Sequence, residues 1–476
     1  MNRILLLSAA MLTAFGQGVQ AKVKLHHLVS DHMVIQADSK VNLWGWDAPG
    51  KTVKVTVSWS KDKYQAQAGQ DGKWCVKVQT PQASYTPLSI TFDDGDRTTV
   101  SDVLAGQVWL CGGQSNMEMP LRGFGGCPVE GYNETVAGAT ATASVRFAKM
   151  PRLQSMKPLD DSDVEWRLCD PANVADASAT AYYFGRMLHS VLDQPVGLIE
   201  ANQGGTAVEG WLNEQNLREH TGESLDSAQI FAKHFMERQL VWGNGTMHPV
   251  LGYGIKGIIF YQGCSNVGRS PQTYAERLAL LVKQWRDGFG QGQLPFYYVE
   301  IAPFDYGYQC EGKTDGAYLR EQQFKAQQLI PGSIMVSNND GVYADEVGQI
   351  HPRQKRKVGE RLAWCALGDA YGLKGYIYRN PSYKAMTIDG SRVRVTFDNT
   401  FGGICPRRDI AGFEVAGEDK VFHKANAWVD GDDTVVCESS EVPQPVAVRY
   451  CYRNFLLGNV TNQGNLPLVP FRSDQW

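Results

Sequence analysis

The chain has 476 residues, 43% of them hydrophobic and 20% charged, with a formal net charge of −4. That length suits two or three domains, and the composition is that of an ordinary soluble globular protein. With no basic excess there is no electrostatic footprint for nucleic acid. The 49 Gly, 12 Trp and 20 Tyr point to many turns and aromatic surfaces, as β-rich domains and sugar-facing clefts use.

The first stretch, MNRILLLSAAMLTAFGQGVQA, carries Arg3, an apolar run from Ile4 to Phe15 and an A-x-A-like site at Val19-Gln20-Ala21. This reads as a signal peptide over 1–21, cleaved after Ala21, so export to the periplasm or medium is expected. The run is too short to span a bilayer as a permanent helix. No cysteine follows the cleavage site, so neither a lipoprotein nor a stable membrane anchor is expected. The sequons at Asn133, Asn244 and Asn459 carry no meaning in a bacterial host, which the short leader suggests.

Residues 22–103 alternate in short runs broken by turn signals, as in KVNLWGWDAPGKTVKVTVSW, and predict an N-terminal β-sandwich. Asp71-Gly72 predicts a hairpin between the runs on either side. Residues 104–372 change character. Five continuous apolar runs (QVWLC, VGLIEA, IKGIIFY, FYYVEIA and SIMVSN) alternate with helical patterns such as Phe184, Met187, Leu188, Val191 and Leu192. Strands without polar alternation are buried on both faces, so this region predicts an α/β domain with a parallel sheet. Residues 373–476 return to short strands and predict a C-terminal β domain. Of the ten cysteines none forms a C-x-x-C pair, and Cys75, Cys365 and Cys437 fit apolar patterns as core residues.

Three of the buried runs end in polar glycine turns: Gly112-Gly113-Gln114-Ser115-Asn116, Asn202-Gln203-Gly204-Gly205-Thr206 and Gln262-Gly263-Cys264-Ser265-Asn266. Parallel strands bring such turns to one sheet edge, where ligands bind. Hydroxyl, amide and free N–H groups together suit acyl transfer by a serine. The base is then a histidine on a later loop; His351, after the fifth run and before a helix carrying Val358, Leu362 and Cys365, is favoured over His248. No phosphate-loop or dinucleotide motif is present, Met117 breaks a G-x-S-x-G elbow, and no residues stand at metal-ligand spacing. No metal and no cofactor are therefore expected.

The blocks GQSNMEMP, GGTAVEGW, IKGIIFYQGCSN and IHPRQKRKVGERLA, in this order, resemble the sialate O-acetylesterase family of SGNH-type (GDSL-like) serine hydrolases. DVLAGQVWLCGG, AVRYCYRNF and LPLVPFRSDQW extend the resemblance over nearly the whole chain after residue 21. It implies a three-layer α/β/α sandwich with flanking β domains. It also implies a carboxylic ester hydrolase that removes O-acetyl groups from carbohydrate, with O-acetylated sialic acid the favoured partner and acetylxylan or another polysaccharide the alternative. By the same resemblance Ser115 is the nucleophile, His351 the base, and Ser115, Gly205, Gln262 and Asn266 the oxyanion donors, with Gly204 a substitute for Gly205. Two positions depart from the family pattern. Cys264 stands where the third block usually has Glu and reads as a packed thiol, and Gly348 stands where an Asp commonly orients the histidine. Asp345 is the expected orienting acid, with Asp340, Glu346 or a backbone carbonyl as alternatives. These departures keep a second class open, a glycan-binding protein with a decayed hydrolase site. Trp211 is either a sugar-pocket residue or core. Oligomeric state is left undetermined.

Overall fold

The structure, a computed structural model, describes residues 22–307 and 313–476. The expected leader lies outside the described residues, as does Cys310. At the centre are six parallel strands: β1 (Arg97–Gly113), β2 (Val145–Lys149), β3 (Val196–Asn202), β4 (Gly257–Tyr261), β5 (Phe296–Val299) and β6 (Ser333–Val336). They lie in the order β2-β3-β1-β4-β5-β6, and Trp166–Leu168 pairs antiparallel on the outer edge of β2. The chain leaves β1, builds β2 and β3 on one side and then crosses to β4 on the other. The carboxyl end of β1 is thus a topological switch point, where open parallel sheets form clefts.

Side chains of these strands alternate between two apolar cores. Cys111, Leu198, Ile259 and Tyr297 pack under helices Ala179–Leu192 and Lys355–Cys365. Leu110, Ile199, Phe260 and Tyr298 pack under Tyr274–Phe289 and Asp315–Leu329. Burial on both faces is why the strands read as unbroken apolar runs. The exception is β2. Its Arg146 is buried, yet donates to Asp102 and to the carbonyls of Asp102 and His32. That charge masks the strand in the sequence, and β2 was not among the five expected.

The first module is two facing sheets. One contains Lys24–Leu25, Lys40–Trp46 and Lys73–Gln79; in the other, Tyr64–Gln67, Thr52–Val57 and Ser84–Asp93 lead into β1, with Val34–Gln36 beside it. The two runs around Asp71-Gly72 fall in different sheets, so the expected hairpin is instead a crossing between sheets. Its tight turn is closed by Gly72 N–H donating to the Gly69 carbonyl and Gly69 N–H to the Lys73 carbonyl. The expected boundary at 103/104 falls inside β1, a 17-residue strand that serves both the module and the central sheet. Cys75 is exposed, contrary to expectation, because it lies on the outward face of its strand; Cys365 and Cys437 are buried.

The last module has three antiparallel sheets, two of four strands and one of two, around a core of Val395, Phe413, Val435, Val448 and Tyr450. Buried Arg320, in helix Asp315–Leu329, ties it to the centre by donating to the Cys451 carbonyl at 3.3 Å.

Candidate active site

The three glycine turns meet at the carboxyl ends of β3, β1 and β4 and are stitched together. Gln203 N–H donates to the Gly113 carbonyl at 3.1 Å, and Gln114 N–H to the Tyr261 carbonyl at 3.0 Å. Gly263 N–H donates to Gln114 Oε1 at 2.8 Å. Gly113 has φ of 146°, and a Cβ there would lie 2.3 Å from the Tyr261 carbonyl oxygen. Only glycine lets the turn close against β4 in this way. Ser115 follows, half-buried, as the first residue of a single helical turn, α1 (Ser115–Glu118).

His351 arrives from the loop before α2, here Lys355–Cys365. The residue after the serine holds the residue before the histidine: Asn116 Nδ2 donates to the Ile350 carbonyl at 3.0 Å. The His351 ring meets Phe124 edge-on at 5.1 Å between centroids, and its Nδ1 lies 3.9 Å from Cys127 Sγ. His248 is elsewhere. Its Nδ1 pairs with the Leu159 carbonyl, beside a pocket shared with Trp44 and Trp74 of the first module.

The remaining expected residues divide. Gly205 has φ of +75°, and a Cβ there would lie 2.4 Å from Met236 Sδ, so the position demands glycine. Among the described residues the N–H groups of Ser115 and Gly205 donate no hydrogen bond within the protein. The Gly204 N–H is engaged by Glu118 Oε2 at 2.5 Å. A Cβ on Gly204 would sit 3.3 Å from Ser115 Cβ, which brings the second turn against the serine.

Gln262 and Asn266 differ from expectation. Gln262 Nε2 donates to the Thr206 carbonyl at 3.0 Å and to Asn266 Oδ1 at 2.8 Å, which engages both amide hydrogens. Asn266 Nδ2 in turn donates to the Glu209 carboxylate, which Arg277 also binds. Buried amides bond to the nearest acceptors, so this pair braces the second turn against the third instead of pointing at a ligand. Asp345 is likewise displaced from its expected role. Arg353 holds its carboxylate in a two-pronged ion pair at 2.9 and 3.1 Å, at the exposed rim. Asp340 is bound by Arg361 and Lys357, and Glu346 accepts from the Tyr343 and Arg353 N–H groups. Among the described residues none of the three touches the His351 ring.

A family model described as carbohydrate esterase, sialic acid-specific acetylesterase matches residues 105–367, more than half of the chain and all of this site. The chain belongs to this family. It is 29% identical to the sialate O-acetylesterase of Homo sapiens over 392 residues, 74% of this chain and 72% of the human one. To the sialate O-acetylesterase of Mus musculus it is 27% identical over 432 residues, 78% of each chain. The crystal structure of a carbohydrate acetylesterase from Xanthomonas citri matches with a TM-score of 0.84 at 32% identity, covering 96% of this chain and 100% of that one. The protein is a carboxylic ester hydrolase.

In this esterase, burial and then the nearby Lys355 ammonium push His351 down to about 4, so the ring is neutral at pH 7 and can accept a proton. A cavity of about 580 Å³ opens beside the serine turn, lined among others by Glu118, Arg122, Phe124, Arg152, Glu200 and Asn202. Arg152 donates to Glu118, while Arg122 and Arg167 share one carboxylate, Asp176. The Asn202 side chain is 4% exposed, and neither end of its amide has a hydrogen-bond partner among the described residues. The sequence reading gave Glu118 and Asn202 no individual role, although Asn202 opens the second polar turn. The signal for Glu118 was its place three residues after the serine, on the same short helical turn; Asn202 stands at the end of an apolar run, like Gly113. Trp211 is core, donating to Thr206 Oγ1. Cys264 is a buried thiol that burial pushes up, as expected of a packed cysteine. Among the described residues no helix is long and apolar enough to cross a membrane, and no group of side chains could hold a metal ion.

Proposed function

We propose that the esterase is exported and removes O-acetyl groups from carbohydrate, O-acetylated sialic acid first among them, through an acetyl-enzyme on Ser115 in an SGNH-type catalytic centre. The observation that carries this reading is the Asn116 bridge, which ties the serine turn to the loop bearing a neutral, half-buried histidine. His351 takes the Ser115 proton as Oγ attacks the acetyl carbonyl, and the N–H groups of Ser115 and Gly205 receive the developing oxyanion. The sugar oxygen leaves with that proton. His351 then activates water, which releases acetate and restores the serine. With Asp345 engaged by Arg353, serine and histidine act as a dyad, the ring braced by Phe124.

Arg122 and Arg167 share the single Asp176 carboxylate, and the positive charge left over favours an acidic sugar over neutral xylan, since a guanidinium pairs well with a carboxylate. Acetate release from matched O-acetylated sialosides and acetylxylan, with wild type and Ser115→Ala, tests the whole reading. Faster release from sialosides that depends on Ser115 is expected. Equal release by Ser115→Ala sinks the mechanism, and faster release from xylan sinks the preference. Glycan binding without any release would mark a binding protein.

A further inference from the structure

Lys355 opens the helix behind His351 and is 1% exposed. Its Nζ donates to Asn116 Oδ1 at 2.5 Å and lies 6.0 Å from the Tyr261 ring centre. The other titratable groups facing it are the Cys264 thiol from the third turn, Cys127 from the loop under His351, and Glu346. Among the described residues no carboxylate lies within ion-pairing distance of it, and Glu346 accepts from backbone N–H groups instead. A buried ammonium without a carboxylate partner is costly and needs an explanation.

The Asn116 amide supplies one. An ammonium donates and cannot accept, so Asn116 must turn Oδ1 towards Lys355. Its NH₂ then has to face the other way, where it meets the Ile350 carbonyl. The lysine thereby selects one of two amide orientations, and only that one holds the histidine loop against the serine turn. The same charge lies close enough to His351 to oppose its protonation.

We propose that Lys355 is a positioning residue of the hydrolytic centre: it locks Asn116 between the serine turn and the His351 loop, and its charge adds to burial in opposing a proton on His351. This rests on the serine-esterase reading. Burial pushes Lys355 itself down to about 7, so the ammonium is fully present in the acid range where His351 titrates.

The test is the pH profile of kcat/KM for acetate release from p-nitrophenyl acetate, whose acid limb reports the free-enzyme base. Lys355→Gln keeps a donor for Asn116 but removes the charge. Its acid limb should move up by roughly one pH unit, with plateau activity within a few-fold of wild type. Lys355→Met removes both, and its limb should move up while kcat falls about tenfold or more with a smaller change in KM. Should Lys355→Met fail to fold, Lys355→Gln alone decides on the position of the limb. Acid limbs coincident with wild type would overturn the proposal. Failure of the underlying reading looks different: wild type without turnover, or Ser115→Ala with undiminished turnover.

Discussion

His26 and His351 are both buried histidines, and burial pushes each down to about 4. His26 sits at the seam between the first module and the central domain, stacked near Trp44 and Trp46, with its Nε2 3.3 Å from Asp161. It has a carboxylate and no nucleophile. Among the described residues His351 pairs with no carboxylate, but its loop is tied to the turn of the half-buried Ser115. A strongly shifted pKa therefore marks burial in both regions, and only the company of the ring separates a structural histidine from a base.

The largest effect that could break this contrast is at the proposed nucleophile: Ser115→Ala should lose roughly 10⁴-fold in kcat or more, measured by acetate release. His351→Ala should follow at roughly 10³-fold, whereas His248→Ala should stay within a few-fold of wild type; equal losses would erase the distinction between the histidines. Gly205→Ala should cost about 10²-fold in kcat, since a side chain at φ +75° strains the turn, collides with Met236 and moves the N–H.

For His26 the expected readout is stability. Its folded pKa lies below the unfolded value of 6.5, so the unfolded chain binds the proton first as pH falls. The contribution is fully present above about 6.5 and is lost as pH drops towards 4, with a ceiling of roughly 3 kcal/mol. His26→Gln should flatten the fall in urea midpoint between pH 7 and pH 5 without altering the acid limb of kcat/KM. Smallest of all, Asp345→Asn should leave kcat/KM within about twofold, because its partner Arg353 lies at an exposed rim. A large loss there would restore Asp345 to the His351 ring.

Apolar continuity made β1, β3, β4, β5 and β6 legible, because burial on both faces leaves no room for polar alternation. Strand β2 was not, since Arg146 finds its partners in Asp102 and His32 from another module. The placement of the turns that carry Ser115 and Gly205 was legible for a related reason. Each begins where an apolar run stops, so chain order alone assigns it to one sheet edge. The side-chain partners of the amides and acids were not legible by the same logic. A glutamine or aspartate can serve any partner within reach, and the sequence does not say which comes nearest. Gln262 is taken by Thr206 and Asn266, and Asp345 by Arg353.

The sequence by itself thus determined the class of fold and the sheet edge where the polar turns gather, because periodicity and strand ends are local properties. Only the tertiary structure decided how the serine turn and the histidine loop are held together. The choice of Asn116 and Lys355 over a carboxylate depends on hydrogen bonds between residues 234 and 239 positions apart, and competition among buried polar groups is settled only when every partner is in place.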